Sequence, residues 1–325
     1  MRVFVTWRIP EIGIQLLRQH FDVTVYTGDE PLNGTALVNH LKGMAGVLAI
    51  FHNRFTADVI EQLTTVRVIA NMAVGYDNID VATATRKGIC VTNTPGVLTE
   101  ATADLTWALL LAVSRRIVEG HQIMATDNFP GWDPLYLLGA EIYGKTIGIV
   151  GMGRIGSAVA RRASAWNMPI LYTSRSPKPT IEQKLGARRV SLEELVHNAD
   201  FISIHTPLTP ETHHLFNTNI FRQMKPTAYL INTARGPIVD ENALVTALRN
   251  HWIAGAALDV FENEPHPHPA LKNFPNVVMT PHIGSATVET RNRMAELAAQ
   301  NLIACLQGKQ PPAIVNPEVL LNDNR

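Results

Sequence analysis

Thr146-Ile147-Gly148-Ile149-Val150 runs directly into Gly151-Met152-Gly153-Arg154-Ile155-Gly156, and this junction decides the fold. The first five residues read as a buried strand. From Ile155 to Trp166 apolar residues recur at helical spacing, with Arg161 and Arg162 on the opposite face. Strand, glycine turn and helix in that order turn a G-x-G-x-x-G match into a dinucleotide-binding motif. Gly151 permits the tight turn, Gly153 lets a pyrophosphate approach the backbone, and Gly156 lets helix and strand pack closely. The helix N-terminus presents unpaired N–H groups to the anion.

The next strand, Pro169 to Tyr172, refines the ligand. Units that bind NAD place Asp or Glu about 20 residues beyond the glycines, where it accepts from the ribose hydroxyls and repels a 2′-phosphate. Here the position holds Ser174, followed by Arg175 and Ser176, and no acid occurs from Tyr172 to Pro179. A guanidinium donates bidentately to a phosphate, so the loop predicts NADPH in preference to NADH, with NADH still possible.

Short apolar strands alternate with helical patterns on both sides of this motif, the signature of parallel α/β sheets. Val3–Val5, Asp22–Tyr26, Gly46–Phe51, Val66–Asn71 and Ile89–Val91 form a first series of strands. A long apolar helix is expected from Thr99 to His121. Thr146–Val150, Ile170–Tyr172, Phe201–Ile204, Tyr229–Ile231, Gly255–Leu258 and Val277–Met279 form a second series, and a last helix follows Ser285. The fold expected is therefore α/β, two doubly wound parallel-sheet (Rossmann-like) domains with an active-site cleft between them.

The chain has 325 residues, and its 28 basic and 28 acidic side chains cancel. That balance offers no field for nucleic acid or an anionic membrane. No signal peptide or membrane span is read, and only Cys90 and Cys305 occur, far apart in sequence. A cytoplasmic protein with two buried, inert thiols is expected. His213-His214 and His266-x-His268 lack an acid or Cys at metal-site spacing, so no metal is expected. Arg115-Arg116, Arg161-Arg162 and Arg188-Arg189 read as solvated helix faces or loop charges. Phe51-His52-Asn53-Arg54 follows a first-series strand and is a candidate lining for the substrate.

Three polar residues follow strands of the second series, at the end where open α/β sheets place function. Arg235 lies in Asn232-Thr233-Ala234-Arg235-Gly236, Glu264 follows Leu258-Asp259-Val260-Phe261, and His282 lies in Thr280-Pro281-His282-Ile283-Gly284-Ser285. Their chemistry suits a carboxylate-binding Arg, a proton-shuttling His and a Glu that orients the His.

Together with Asn71 to Asp80 and His205-Thr206-Pro207-Leu208, these segments resemble the D-isomer-specific 2-hydroxyacid dehydrogenase family over nearly the whole chain. The resemblance implies an Arg235–Glu264–His282 catalytic set and a substrate carboxylate held by the amides of Val74 and Gly75. It implies a nicotinamide carboxamide contact at Asp259. Further cofactor contacts are implied at Gly151, Gly153, Arg154, Ile155, Gly156, Ser174, Arg175, Ser176, His205, Thr206, Pro207, Thr212, Thr233, Ala234, Arg235, His282 and Gly284. It also implies a discontinuous substrate domain, residues 1–98 plus 287–325, around a cofactor domain of residues 99–286. A homodimer formed largely through the Thr99–His121 region is implied, with Trp132 reaching the partner's active site.

Within the family, Tyr172 to Ser176 and Gly131 to Leu135 look most like the glyoxylate/hydroxypyruvate reductase branch, which includes 2-ketogluconate reductases. The resulting expectation is NADPH-dependent reduction of small 2-oxo acids to glycolate or D-2-hydroxy acids. Two alternatives stand beside it. A formate dehydrogenase shares the fold, but the family pattern there has Gln in place of Glu264. A dinucleotide-sensing corepressor of the same family keeps the catalytic set without catalysis.

Overall fold

The computed structural model describes residues 1–322. The chain divides into two compact units, Met1–Leu98 with Ser285–Arg325, and Thr99–Gly284.

The first unit begins with β1 (Arg2–Val5), α1 (Glu11–Arg18), β2 (Asp22–Val25), α2 (Gly34–Leu41), β3 (Gly46–Ala49), α3 (Ala57–Glu61), β4 (Val68–Asn71), α4 (Val81–Arg86) and β5 (Cys90–Thr92). Its five strands are all parallel, in the order β2-β1-β3-β4-β5. The continuous apolar runs of β3 and β4 are explained by burial on both faces, as parallel sheets covered by helices require.

The second unit holds α5 (Thr99–Ser114), α6 (Ile117–Ala125), β6 (Ile147–Val150), α7 (Arg154–Ala163), β7 (Ile170–Thr173), α8 (Pro179–Leu185), β8 (Arg188–Arg189), α9 (Leu192–Asn198), β9 (Phe201–Ile204), α10 (Thr218–Gln223), β10 (Tyr229–Asn232), α11 (Glu241–Arg249), β11 (Gly255–Leu258) and β12 (Val277–Met279). Its seven strands are parallel in the order β12-β11-β10-β9-β6-β7-β8. The strand order reverses between β6 and β9, which is where a doubly wound sheet opens a crevice for its ligand. One core lies on each face of this sheet, around Leu195, Phe216 and Leu244 on one side and Trp107, Ile149 and Tyr172 on the other. The chain then returns to the first unit through α12 (Val288–Leu306), which packs along α1 and across β4, and α13 (Val319–Asn322).

The structure corrects four expectations. Thr99 to His121 is two helices rather than one. Arg116 takes a left-handed conformation with φ of 54° between them. The reason is tertiary: the amide of Ala140 donates to Ser114 O at 2.8 Å, and a Cβ on Gly139 would lie 2.3 Å from that same carbonyl oxygen. Arg188-Arg189 is a short edge strand on β7, not a helix face or loop. The cysteines, remote in sequence, face each other with Sγ atoms 2.9 Å apart, Cys90 buried and Cys305 only partly so. The Cys90 contact and burial push the Cys305 thiol up. Finally, Asn53 does not line an open surface. It is fully buried, its Oδ1 accepting from Thr6 Oγ1 and its Nδ2 donating to Leu32 O. Among the described residues no helix is long and apolar enough to cross a membrane, and no cluster of metal-ligating side chains forms.

Candidate active site

Because all strands of the second unit run parallel, the residues that follow β6, β9, β10, β11 and β12 emerge along one edge of the sheet. Gly151 adopts φ of +99°, and a Cβ there would lie 2.6 Å from the His205 carbonyl carbon and the Thr206 nitrogen. Only glycine allows the turn after β6 to rest on the peptide after β9. A Cβ on Gly156 would lie 2.1 Å from Gly151 O, so the first turn of α7 sits directly on the loop. At Gly153, by contrast, an added Cβ would meet only open space. No side chain caps α7. Open space beside uncapped helix amides is what a pyrophosphate needs, and the turn therefore fits a dinucleotide.

Arg235 follows β10 in extended backbone, with its Nη1 donating to Ala234 O at 2.7 Å. Asn232, at the end of the strand, folds this loop back: its Nδ2 donates to Arg235 O and its Oδ1 accepts from Ala234 N. The adjoining Gly236 is pressed against the loop after β11, where a Cβ would lie 1.8 Å from the Phe261 carbonyl carbon. That contact holds the Arg235 loop against the loop that carries Glu264.

Glu264 and His282 meet directly, with Glu264 Oε2 2.8 Å from His282 Nδ1. Their side chains are 19% and 33% exposed, so the pair is largely withdrawn from water while the ring keeps one accessible side. Glu264 Oε1 accepts from Phe261 N at 3.1 Å. His282 has φ of 53°, a conformation that costs a non-glycine residue on the order of 1–3 kcal/mol and persists only where neighbours impose it. Asp259 is the neighbour that imposes it. Its carbonyl oxygen accepts from His282 N, its Oδ1 from Thr280 Oγ1 and Ile283 N, and its Oδ2 from Gly284 N. Burial raises the Asp259 carboxyl above the usual carboxylate range, and these donors with the His282 charge oppose the shift.

In the first unit, Val74 and Gly75 follow β4. Three successive carbonyls are tied back: Ala73 O accepts from Thr94 N, Val74 O from Asn93 Nδ2 at 2.8 Å, and Gly75 O from Asn71 Nδ2 at 2.9 Å. In a trans peptide the N–H points away from the preceding carbonyl. Each of the N–H groups of Val74, Gly75 and Tyr76 thus points away from the group that holds the carbonyl before it.

Residues 107–284 match the model of the D-isomer specific 2-hydroxyacid dehydrogenase NAD binding domain. A glyoxylate reductase of Thermococcus onnurineus (strain NA1) is 48% identical over 323 residues, 98% of this chain and 97% of that one. The chain belongs to the D-isomer-specific 2-hydroxyacid dehydrogenases. Among solved structures, a protein from Thermus thermophilus superposes with a TM-score of 0.90 at 48% identity, covering 97% of this chain and all of that one. An NADPH-dependent glyoxylate/hydroxypyruvate reductase from Sinorhizobium meliloti, solved with NADP and malonate, gives 0.86 at 35% identity over 97% of this chain and 96% of that one.

In this dehydrogenase the loop after β7 carries more positive charge than Arg175 alone. Lys178 Nζ lies 3.3 Å from Ser176 Oγ, and the Arg189 guanidinium donates to the carbonyls of Ser174 and Arg175. Ser174 spends its own hydroxyl on Ser176 O, at 2.6 Å. Sequence reasoning passed over Lys178 and Arg189, and also Asn71 and Asn93. An Asn at or just beyond the C-terminal end of a parallel strand was the available signal for the last two. Thr233 and Thr212 have internal tasks, the first bonded to Thr106 Oγ1 and the second donating to Pro207 O. Trp132 stands 86% exposed on the segment between α6 and β6.

His205 lies against the glycine turn, its Nε2 2.7 Å from Ser203 Oγ. Part of the residue reaches the surface, yet the protein packed around its ring lowers its pKa to about 3. Between that value and the unfolded value of about 6.5 only the unfolded chain binds this proton, so stability falls as pH drops through about 6.5. His205→Gln should therefore lose less melting temperature than the parent between pH 7 and pH 5 in thermal denaturation. Parallel slopes for the two proteins would refute a neutral buried His205.

Proposed function

We propose that this protein reduces small 2-oxo acids, foremost glyoxylate and hydroxypyruvate, with 2-ketogluconate as a larger candidate, to glycolate or D-2-hydroxy acids. The observation that carries the reading is the His282–Glu264 pair, held by adjoining loops against the Arg235 turn. The relatives named for glyoxylate reduction support the substrate class.

A bound nicotinamide supplies hydride to the ketone carbon. The rest of the chemistry falls to the chain. Arg235 pairs with the substrate carboxylate and polarises the ketone, and the amides of Val74 and Gly75 receive the carboxylate. His282 Nδ1 is committed to Glu264, which assigns proton delivery to Nε2. The carboxylate holds the ring with Nδ1 turned toward it, and so keeps it on one tautomer after the proton has left. Asp259 keeps the His282 turn in place and offers its remaining lone pair to the nicotinamide carboxamide.

The cofactor in this reading is NADPH. It is supported by Arg175, by Lys178 beside Ser176, and by the absence of an acid in the loop after β7. A homodimer also belongs to it, although its basis differs from the expected one. The apolar face of α5 is buried within its own unit, whereas α6 buries none of its residues. Ile117, Val118 and Met124 on α6, with Phe129, Trp132, Leu135 and Leu138 beyond it, leave a large exposed apolar surface. Surfaces of this kind mark interfaces, and a C2 dimer is the commonest closed solution. A reducing cytoplasm is the location that goes with a chain of only two cysteines.

Turnover with NADPH and a panel of 2-oxo acids tests the activity directly; no NADPH oxidation with any member would overturn it. The pH limb of the reduction rate should shift in Glu264→Gln, which removes the carboxylate that meets the ring. His282→Asn should lose roughly 10²–10⁴ in rate, and Arg235→Ala should raise KM as well as lower kcat. A His282→Asn enzyme near full activity would place the proton donor elsewhere. For the cofactor, Arg175→Ala should weaken NADPH by about ten- to a hundredfold in fluorescence titration, with NADH little changed. Equal use of both cofactors by the parent would defeat the preference. For assembly, light scattering at micromolar concentration should give twice the chain mass, and Met124→Asp should yield monomer. A Trp132→Ala enzyme with an unaltered substrate profile would remove Trp132 from the site.

A further inference from the structure

We infer that Glu241 is a positioning residue for the proton donor: its buried carboxylate fixes both ends of the loop that carries Glu264, and through it the orientation of His282. The inference rests on the reading of His282 and Glu264 given above.

Glu241 is the first residue of α11, where an acid ordinarily sits in solvent and favours the helix dipole. This one is 5% exposed. Nor is it needed as a cap, because Asp240 Oδ1 already accepts from Ala243 N. The Glu241 side chain instead reaches the loop after β11. Its Oε1 accepts from Glu262 N at 2.8 Å and its Oε2 from His268 N at 2.7 Å. Residues 263 to 267 span the gap between these two amides, and Glu264 is among them.

The clamp is reciprocal. Glu262 Oε2 accepts from Glu241 N at 3.2 Å, and Glu262 Oε1 meets His214 Nε2 at 2.6 Å. The His214 amide donates in turn to Pro237 O, next to the Gly236 that presses on Phe261. Thus one carboxylate ties the Glu264 loop to α11 and to the turn that bears Arg235. An ionised carboxylate is costly to bury unless hydrogen bonds satisfy it, and here both oxygens accept from backbone amides, one at each end of the loop. The charged and titratable groups around it are Asp240, Glu262, His214 and His268; those that face His282 include Glu264 and Asp259.

A displacement of Glu264 by about 1 Å is enough to cost on the order of a hundredfold in rate, so a loosened loop has a kinetic signature. The full-length enzyme is assayed with NADPH and glyoxylate across pH as the parent, Glu241→Gln, Glu241→Ala, Glu264→Gln and the double variant Glu241→Ala/Glu264→Gln. Melting temperature and NADPH affinity are measured alongside. Glu241→Gln keeps the side-chain volume and one acceptor oxygen, which preserves folding. Glu241→Ala should lower kcat by about ten- to a hundredfold, leave NADPH affinity within about threefold, and move the reduction limb in the same direction as Glu264→Gln does. The Gln variant should fall between. In the Glu264→Gln background, Glu241→Ala should add less than about threefold, since no carboxylate remains to be positioned.

A structural role alone would lower the melting temperature and leave the limb in place, or give losses that multiply in the double variant; either result overturns the inference. If Glu241→Ala does not fold, the Gln variant decides by the same two readouts. A limb that moves with Glu264→Gln but not with either Glu241 variant defeats this inference and spares the proton donor. A limb unmoved by Glu264→Gln defeats both.

Discussion

Asp259 is the constraint on which the rest of the site depends. A carboxylate 1% exposed after β11 gathers the Thr280 hydroxyl and the amides of Ile283 and Gly284, while its own carbonyl takes the His282 amide. Those bonds hold His282 at a positive φ that an isolated chain would seldom visit. The imidazole then presents Nδ1 to Glu264. Without the Asp259 carboxylate the turn after β12 would have two amides and a hydroxyl to satisfy separately.

The same logic recurs along the edge of the sheet. Parallel strands end together, so their trailing loops crowd, and each loop is fixed by its neighbours as well as by its own residues. Gly151 rests on the peptide of His205, and Gly236 rests on Phe261. Asn232, Asp259, Glu241 and Glu264 each spend at least one side-chain oxygen on a backbone amide. Buried acceptors satisfied in this way rigidify a site instead of destabilising it. In the first unit the polarity is inverted: Asn71 and Asn93 donate to carbonyls of the segment after β4.

In the loop after β7, Arg175 and Ser176 are exposed. Arg189, itself exposed on the edge strand, donates to the carbonyls of Ser174 and Arg175, so one cation of this segment is spent on holding the loop. Placing several positive charges together costs some repulsion.

Periodicity and glycine spacing were sufficient for the two parallel sheets, for the dinucleotide turn and for Arg235, Glu264 and His282 as the polar residues at strand ends. Each of these is a local property: alternation of buried strands with helices, a φ that only Gly adopts readily, side chains just past a strand. What remained for tertiary structure were effects of chain segments remote in sequence. The break at Arg116 is imposed by Gly139 and Ala140, and β8 exists only because β7 lies beside it. Cys90 and Cys305 become neighbours across 215 positions. Glu241 looks like any acid at a helix start until the loop after β11 folds onto it. Sequence records which groups are available; only the packed chain decides which of them face each other, because hydrogen bonds and burial depend on distance in space and not on distance along the backbone.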